Sequence, residues 1–167
     1  MKFRRLFSTL AACAGLTMLF STGTAQAYAG DPEVYNLAQN TTNCPCTHYD
    51  NVDGTYFLND AGGIGLRSLI YHGGKLVGKV EFHPYGEKLW VYDTANDGDS
   101  FHVSFFVERE VASKGFELRG SYAPPGTSQE VEYRVVEFDI PEGRRVFYQL
   151  HDAAGSDYFG SSKDGIA

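Results

Sequence analysis

Cys44, Cys46 and His48 occupy alternate positions of Cys44-Pro45-Cys46-Thr47-His48, and in an extended segment alternate side chains project to one side. Two thiolates and an imidazole gathered in this way suit a soft ion such as copper(I) or zinc. A disulfide joining Cys44 to Cys46, or bridging to another chain, is the competing chemistry, and an oxidising compartment favours it. No second cluster of soft ligands lies nearby in the sequence to complete a zinc shell, so a disulfide is the expectation and metal binding the alternative. Asp93, Asp97 and Asp99 flank a Gly turn in Asp93-Thr94-Ala95-Asn96-Asp97-Gly98-Asp99-Ser100. Hard oxygen clusters of that kind hold calcium in EF-hand loops. Framed from Asp93, however, the third position is Ala95 and the twelfth is Ser104, so an acidic turn is expected. Asp50-Asn51-Val52-Asp53-Gly54 is a weaker version of the same motif. No cofactor is required by any motif; calcium, copper and zinc are the ones these residues would admit.

Trp90 and Tyr92 alternate with Leu89 and Val91, which places both rings and Lys88 on one face of a strand, a candidate binding platform for sugars or partner side chains. Histidines at 48, 72, 83, 102 and 151 are scattered rather than paired at helical metal spacing. His151-Asp152 with Ser104 or Ser121 contains the residue types of a hydrolytic triad, without the Gly-x-Ser-x-Gly turn that presents such a nucleophile. Glu108 with Glu110, and Glu130 with Glu132, share strand faces as a glycosidase dyad would, or as any solvated strand face does.

The elements that position these residues read as strands. From residue 55 onward, short alternating runs are separated by Gly, Asp, Asn and Pro, the pattern of an antiparallel sheet with one buried face. Leu76, Val80 and Phe82 oppose Lys79 and Glu81, and Phe101, Val103, Phe105 and Val107 oppose His102, Ser104 and Glu108. Val131, Tyr133 and Val135 alternate with Glu132 and Arg134, and Val146, Tyr148 and Leu150 mark a late strand. Turns fall at 83–86, 96–99 and 141–143, and Ala123-Pro124-Pro125-Gly126 reads as a rigid crossing loop. The expected fold is all-β, a single-domain antiparallel β-sandwich or small barrel over 55–167, preceded at 28–54 by an extended N-terminal arm or edge strand bearing Cys-Pro-Cys.

Lys2, Arg4 and Arg5 lead into an apolar run from Leu6 to Phe20, closed by Ala25-Gln26-Ala27. This is the layout of a signal peptide at 1–27, with cleavage after Ala27 favoured and after Ala29 the second choice. The expected mature chain is secreted and extracellular, with no membrane span. Losing three basic residues moves the net charge from −7 to −10, which disfavours nucleic acid and anionic membranes as partners. Cys13 leaves with the leader, so no multi-bridge framework is available and burial must supply the stability.

Lys88-Leu89-Trp90-Val91-Tyr92-Asp93, the turn Asp97-Gly98-Asp99-Ser100 and Ile140-Pro141-Glu142-Gly143-Arg144-Arg145-Val146 together resemble small secreted actinobacterial proteins of unknown function, from Lys79 to the C-terminus. That resemblance implies export and a β-sandwich, and no activity. Relatives of this kind often carry cysteines near their last two strands, where this chain has Leu150 and Phe159. The functional expectation is a non-catalytic, uncharacterised secreted β-sandwich protein that binds an extracellular partner, polymer or envelope component. The alternatives are an inhibitor of an extracellular enzyme, inserting the Pro124-Pro125 loop or the Cys-Pro-Cys segment, and a secreted hydrolase or Cys/His metal-binding protein.

Overall fold

A computed structural model describes residues 28–126, 131–152 and 157–167; the expected signal peptide lies outside the described residues. Strands β1 (Glu33–Asn40), β2 (Cys46–His48), β3 (Thr55–Phe57), β4 (Ile64–His72), β5 (Lys75–His83) and β6 (Lys88–Asp93) occupy the first half of the chain. β7 (Phe101–Glu108), β8 (Phe116–Tyr122), β9 (Glu132–Glu137), β10 (Arg145–Asp152), β11 (Asp157–Ser161) and β12 (Gly165–Ile166) follow. Helix among the described residues is confined to one short 3-10 turn, Ala112–Lys114. The protein is therefore all-β, and every strand pairing is antiparallel.

One curled sheet, a half-barrel, runs β8-β7-β10-β12-β4-β5-β6-β9, with β1 added to β4 and β11 to β10. The hairpin β2-β3 forms a second, small sheet. The short β12 links the two arms of the large sheet by pairing with Val146 and Arg145 of β10 and with Ile64 of β4. Elsewhere along the junction, the Asn36 side-chain amide of β1 donates to the Ser161 carbonyl of β11 at 2.7 Å.

The curl brings the inner faces of the arms together around one core. From one arm come Leu66, Ile70, Val80, Phe82, Leu89 and Val91; from the other, Phe101, Val103, Phe105, Val146, Tyr148 and Leu150, all fully buried. Phe82 and Phe105 meet across the interior with ring centroids 5.5 Å apart. Tyr148 carries the one hydroxyl in this set, and burial raises its pKa. Its oxygen lies 2.8 Å from Ser68 Oγ and donates to the Val80 carbonyl at 3.2 Å, so a buried polar group is satisfied while tying β10 to β4 and β5.

Three local features depart from the alternation read in the sequence. A bulge between Ile70 and Tyr71 of β4 pairs Leu76 with Tyr71 and Gly78 with Ile70. The extra residue on β5, Val77, enters the core in place of Leu76. β9 is inverted: Tyr133 and Val135 lie on the outer face, 55% and 36% exposed, and Val136 is the residue opposite core Leu89. The β2-β3 hairpin straddles residues 54 and 55, so the expected boundary between arm and domain falls inside a paired element. The turns are as read, with Gly86 at φ 80° and Gly143 at φ 78° supplying left-handed backbone that other residues resist.

Gly78 shows how tightly the arms close. A Cβ built there would stand 2.4 Å from Phe101 Cε1, and Phe101 has no room to retreat because it is fully buried. Gly78→Ala is expected to cost about 1–3 kcal/mol by overpacking, read as a lower urea midpoint, and Phe101→Leu in the same chain should restore part of the loss.

Candidate functional site

The outer face of β4, β5 and β6 is only partly open to water, because the β2-β3 hairpin lies against it. Phe57 anchors that hairpin and is fully buried. Its ring sits over Gly65 of β4, where a Cβ would come within 2.7–3.0 Å of three ring carbons; glycine leaves the seat empty. The His83 ring stands 4.9 Å from Phe57 and His48 6.1 Å from it, so the hairpin's inner side is largely aromatic.

Beneath the hairpin and its loop lies a network of charges. Lys79 of β5 has a fully buried side chain. Its ammonium donates to Asp50 Oδ2 at 3.2 Å and to the Gly54 carbonyl at 3.2 Å, contacts Asp53, and lies 3.0 Å from Glu81 Oε1. Asp50 Oδ1 accepts backbone N–H groups from Val52 at 2.9 Å, Asp53 at 3.2 Å and Gly54 at 2.9 Å, which folds the loop around the carboxylate. Glu81 is further held by the Thr55 hydroxyl and by His83 Nε2 at 2.9 Å. Arg67 of β4 approaches Asp50 at 3.8 Å and donates to the Tyr49 carbonyl at 3.1 Å.

Burial alone would push the two carboxyls up and the ammonium down, but the partners win in each case. Asp50 stays below the ordinary carboxyl range: burial raises it, while the Val52 and Gly54 N–H bonds and the Lys79 charge more than reverse that. Glu81 is likewise lowered, burial being overcome by His83, Lys79 and Thr55. Lys79 is raised, because Glu81, Asp53 and Asp50 outweigh its loss of water. The ionised forms of all three are the stable ones.

Next to this network the two rings nominated from the sequence are joined by a third. Trp90 and Tyr92 stack with centroids 6.1 Å apart and planes at 16°. Tyr133 of β9 lies 5.6 Å from each. Tyr92 is itself buried, 5% exposed; its ring covers the Lys79 ammonium at 4.4 Å and its hydroxyl is hydrogen-bonded with Asp53. Trp90 is half-buried, and its indole N–H has no acceptor among the described residues. Tyr133 is thus the ring that faces outward, with Val135 beside it. A groove of about 610 Å³ runs along the loop from Thr47 to Gly54, bordered by Asp53, whose side chain remains half exposed.

The other candidates are not brought together. Cys44 and Cys46 form a disulfide with S–S 2.08 Å, the expected chemistry, which consumes both thiolates of the alternative Cys44, Cys46 and His48 metal set. His48 turns toward Phe57, and burial followed by the Arg67 charge lowers its pKa. In the 93–99 turn, Asp93 Oδ1 accepts the Ala95 N–H and Asp97 Oδ1 the Asp99 N–H, each at 3.0 Å. Among the described residues no group of three His, Cys, Asp or Glu side chains is arranged to hold a metal ion. His151 packs on Tyr158 at 5.9 Å, and Glu108 pairs with Arg145 at 2.8 Å. The residues missed in the sequence are Lys79, Glu81, Thr55, His83 and Tyr133. The available signal was opposite charges at 79 and 81 on one face of a strand, alternating with Gly78, Val80 and Phe82.

No family model, curated protein or solved structure matches this chain.

Removing the ammonium strands three carboxylates, two of them buried. Lys79→Ala is expected to cost about 3–5 kcal/mol in urea or thermal unfolding, with Lys79→Met losing similarly because the charges remain unpaired. Glu81 is held below its ordinary value of 4.5, so its contribution is complete above that value and drains as pH falls through the folded one. The stability gap between the wild type and Glu81→Gln should therefore be widest at neutral pH and close below about pH 4.5. A gap that does not change with pH would contradict this.

Proposed function

We propose that this chain is an exported, non-catalytic binding protein and that Trp90, Tyr133 and Val135 on the outer face form a platform for a carbohydrate polymer of the cell surface or its surroundings. The observation that carries this reading is the clustering of Trp90, Tyr92 and Tyr133 on one outer sheet face with Tyr133 55% exposed. A sugar ring offers an apolar C–H face bordered by hydroxyls, and it asks of a protein a flat aromatic surface with polar groups at its margin. Here the margin holds the half-exposed Asp53 carboxylate and the Lys88–Glu137 ion pair, 3.0 Å apart. The network under Tyr92 supports the same reading, since a ring clamped by Lys79 and Asp53 loses little freedom when a ligand arrives.

Export is part of the proposal and is supported by the basic, apolar and small-residue layout of 1–27. No helix among the described residues is long and apolar enough to cross a membrane.

Trp90 is the sole tryptophan of the chain and reports directly on its own surface. Titration with soluble oligosaccharides of chitin, cellulose and peptidoglycan should shift its emission for at least one of them, and the matching insoluble polymer should co-sediment the protein. Tyr133→Ala should weaken that binding at least about tenfold, which is 1.4 kcal/mol, while leaving the melting temperature nearly unchanged because the ring is exposed. Absence of binding to every polymer, or binding indifferent to Tyr133→Ala, would overturn the reading.

A further inference from the structure

Where β6 and β10 end, away from the aromatic face, acidic groups converge on the residue that follows the expected leader. Tyr28 is a core residue, 6% exposed, with its ring 5.2 Å from His72. Its backbone N–H donates to Asp152 Oδ1 at 3.1 Å, and Asp152 is itself only 7% exposed. Asp93, at the end of β6, is 2% exposed, and its Oδ2 has no partner among the described residues. Burial, with Asp97 and Glu132 adding repulsion, pushes its carboxyl up to about 6 despite the Ala95 N–H. Behind the effect of burial, Asp97, Asp93, Asp99 and Asp152 all act on the Tyr28 hydroxyl. The cationic candidate at this corner is His72, whose Nε2 lies 3.3 Å from the Ala29 carbonyl. The corner is rich in negative charge and short of positive charge.

We propose that this acidic corner is the receptor for the chain's own α-ammonium group, created when the Ala27–Tyr28 peptide bond is hydrolysed and Tyr28 becomes the first residue. The step consumes one water under a signal peptidase. The C–N bond breaks, Ala27 departs with the water oxygen as a carboxylate, and the Tyr28 nitrogen takes up protons to become an ammonium. The Tyr28 N–H already points at Asp152, so the new charge pairs without rearrangement, turning a neutral donor into a charge-assisted one. Cleavage after Ala29 would instead remove a buried aromatic ring from the core and leave Asp152 without this donor. The sugar-binding face takes no part in this device, and the two proposals share only the leader at 1–27.

The test compares chains of defined start. Residues 28–167 with a free Tyr28 amine are set against the same chain carrying a Gly-Ser extension, each with and without Asp152→Asn. The extension is expected to lower the melting temperature at pH 6–7 by about 3 °C or more, and this penalty should vanish in Asp152→Asn. Because pairing raises the folded pKa of the amine, its contribution is full below the ordinary range of about 7.7–8.0 and is lost as pH rises through the folded value; the penalty should therefore shrink above about pH 9. Titration of the α-amine by NMR should give a value above the ordinary range in the wild-type chain, and this measurement stands even if Asp152→Asn fails to fold. Sequencing of the exported protein should begin at Tyr28. An ordinary α-amine value, an extension without effect, a penalty that survives Asp152→Asn, or a natural start at Gly30 would each overturn the proposal. Polysaccharide binding by the extended chain should be unchanged, which separates failure here from failure of the platform.

Discussion

An ammonium group without solvent governs the outer half of this molecule. Lys79 sits on a central strand of the curled sheet, and its side chain is fully buried, a situation that costs several kcal/mol unless counter-charges and hydrogen bonds surround it. The loop from Tyr49 to Gly54 provides them, and it does so by wrapping its own backbone N–H groups around Asp50. The hairpin is therefore held on the sheet by two different forces. Phe57 over Gly65 contributes apolar burial, which is indifferent to register along the surface, and the Lys79–Asp50–Glu81 network contributes direction, which is not. Together they fix a short two-stranded sheet that has little capacity to stand alone.

The same ammonium reaches the aromatic platform through Tyr92. That ring is pressed between Lys79 below and Trp90 and Tyr133 beside it, and its hydroxyl is bound with Asp53. A surface ring normally samples several rotamers; here the chain of contacts leads back to the sheet centre. Rigid aromatic anchors lose less entropy on binding than mobile ones, so the charge network and the proposed ligand face belong to one construction.

Strands buried on one side only were legible in the sequence. β7 and β10 alternate cleanly, and the structure buries the alternate residues Phe101, Val103 and Phe105, and Val146, Tyr148 and Leu150. What alternation does not convey is whether the polar side meets water or another layer of protein. Lys79 and Glu81 look like any solvated pair, because the hairpin that covers them comes from 22 or more residues away, with Asp50 and Lys79 separated by 29 positions. β9 failed differently: Val131, Tyr133 and Val135 form an apolar alternation that reads as core, yet the strand is at the sheet's end and presents Tyr133 and Val135 outward. β1 was legible only as an extended arm or edge strand within 28–54, because its polar composition gives no apolar pattern, and it pairs along β4 through backbone bonds that need none. Of the site, Trp90 and Tyr92 were readable from spacing. The ring that completes the platform was not, since the pairing of Tyr92 with Tyr133 spans the length of three intervening elements.

A sheet that curls without closing leaves its terminal strands able to recruit further chains. β8 and β9 end the ordered path of strands, and both are punctuated by charge: Glu117 and Arg119 on one, Glu132, Arg134 and Glu137 on the other. β8 is also bulged where it meets Phe105 and Phe106. Charged residues and bulges on such borders are the usual guard against fibrous stacking. An open half-barrel can thus keep an apolar strip available for a ligand while its rims discourage copies of itself from zipping on.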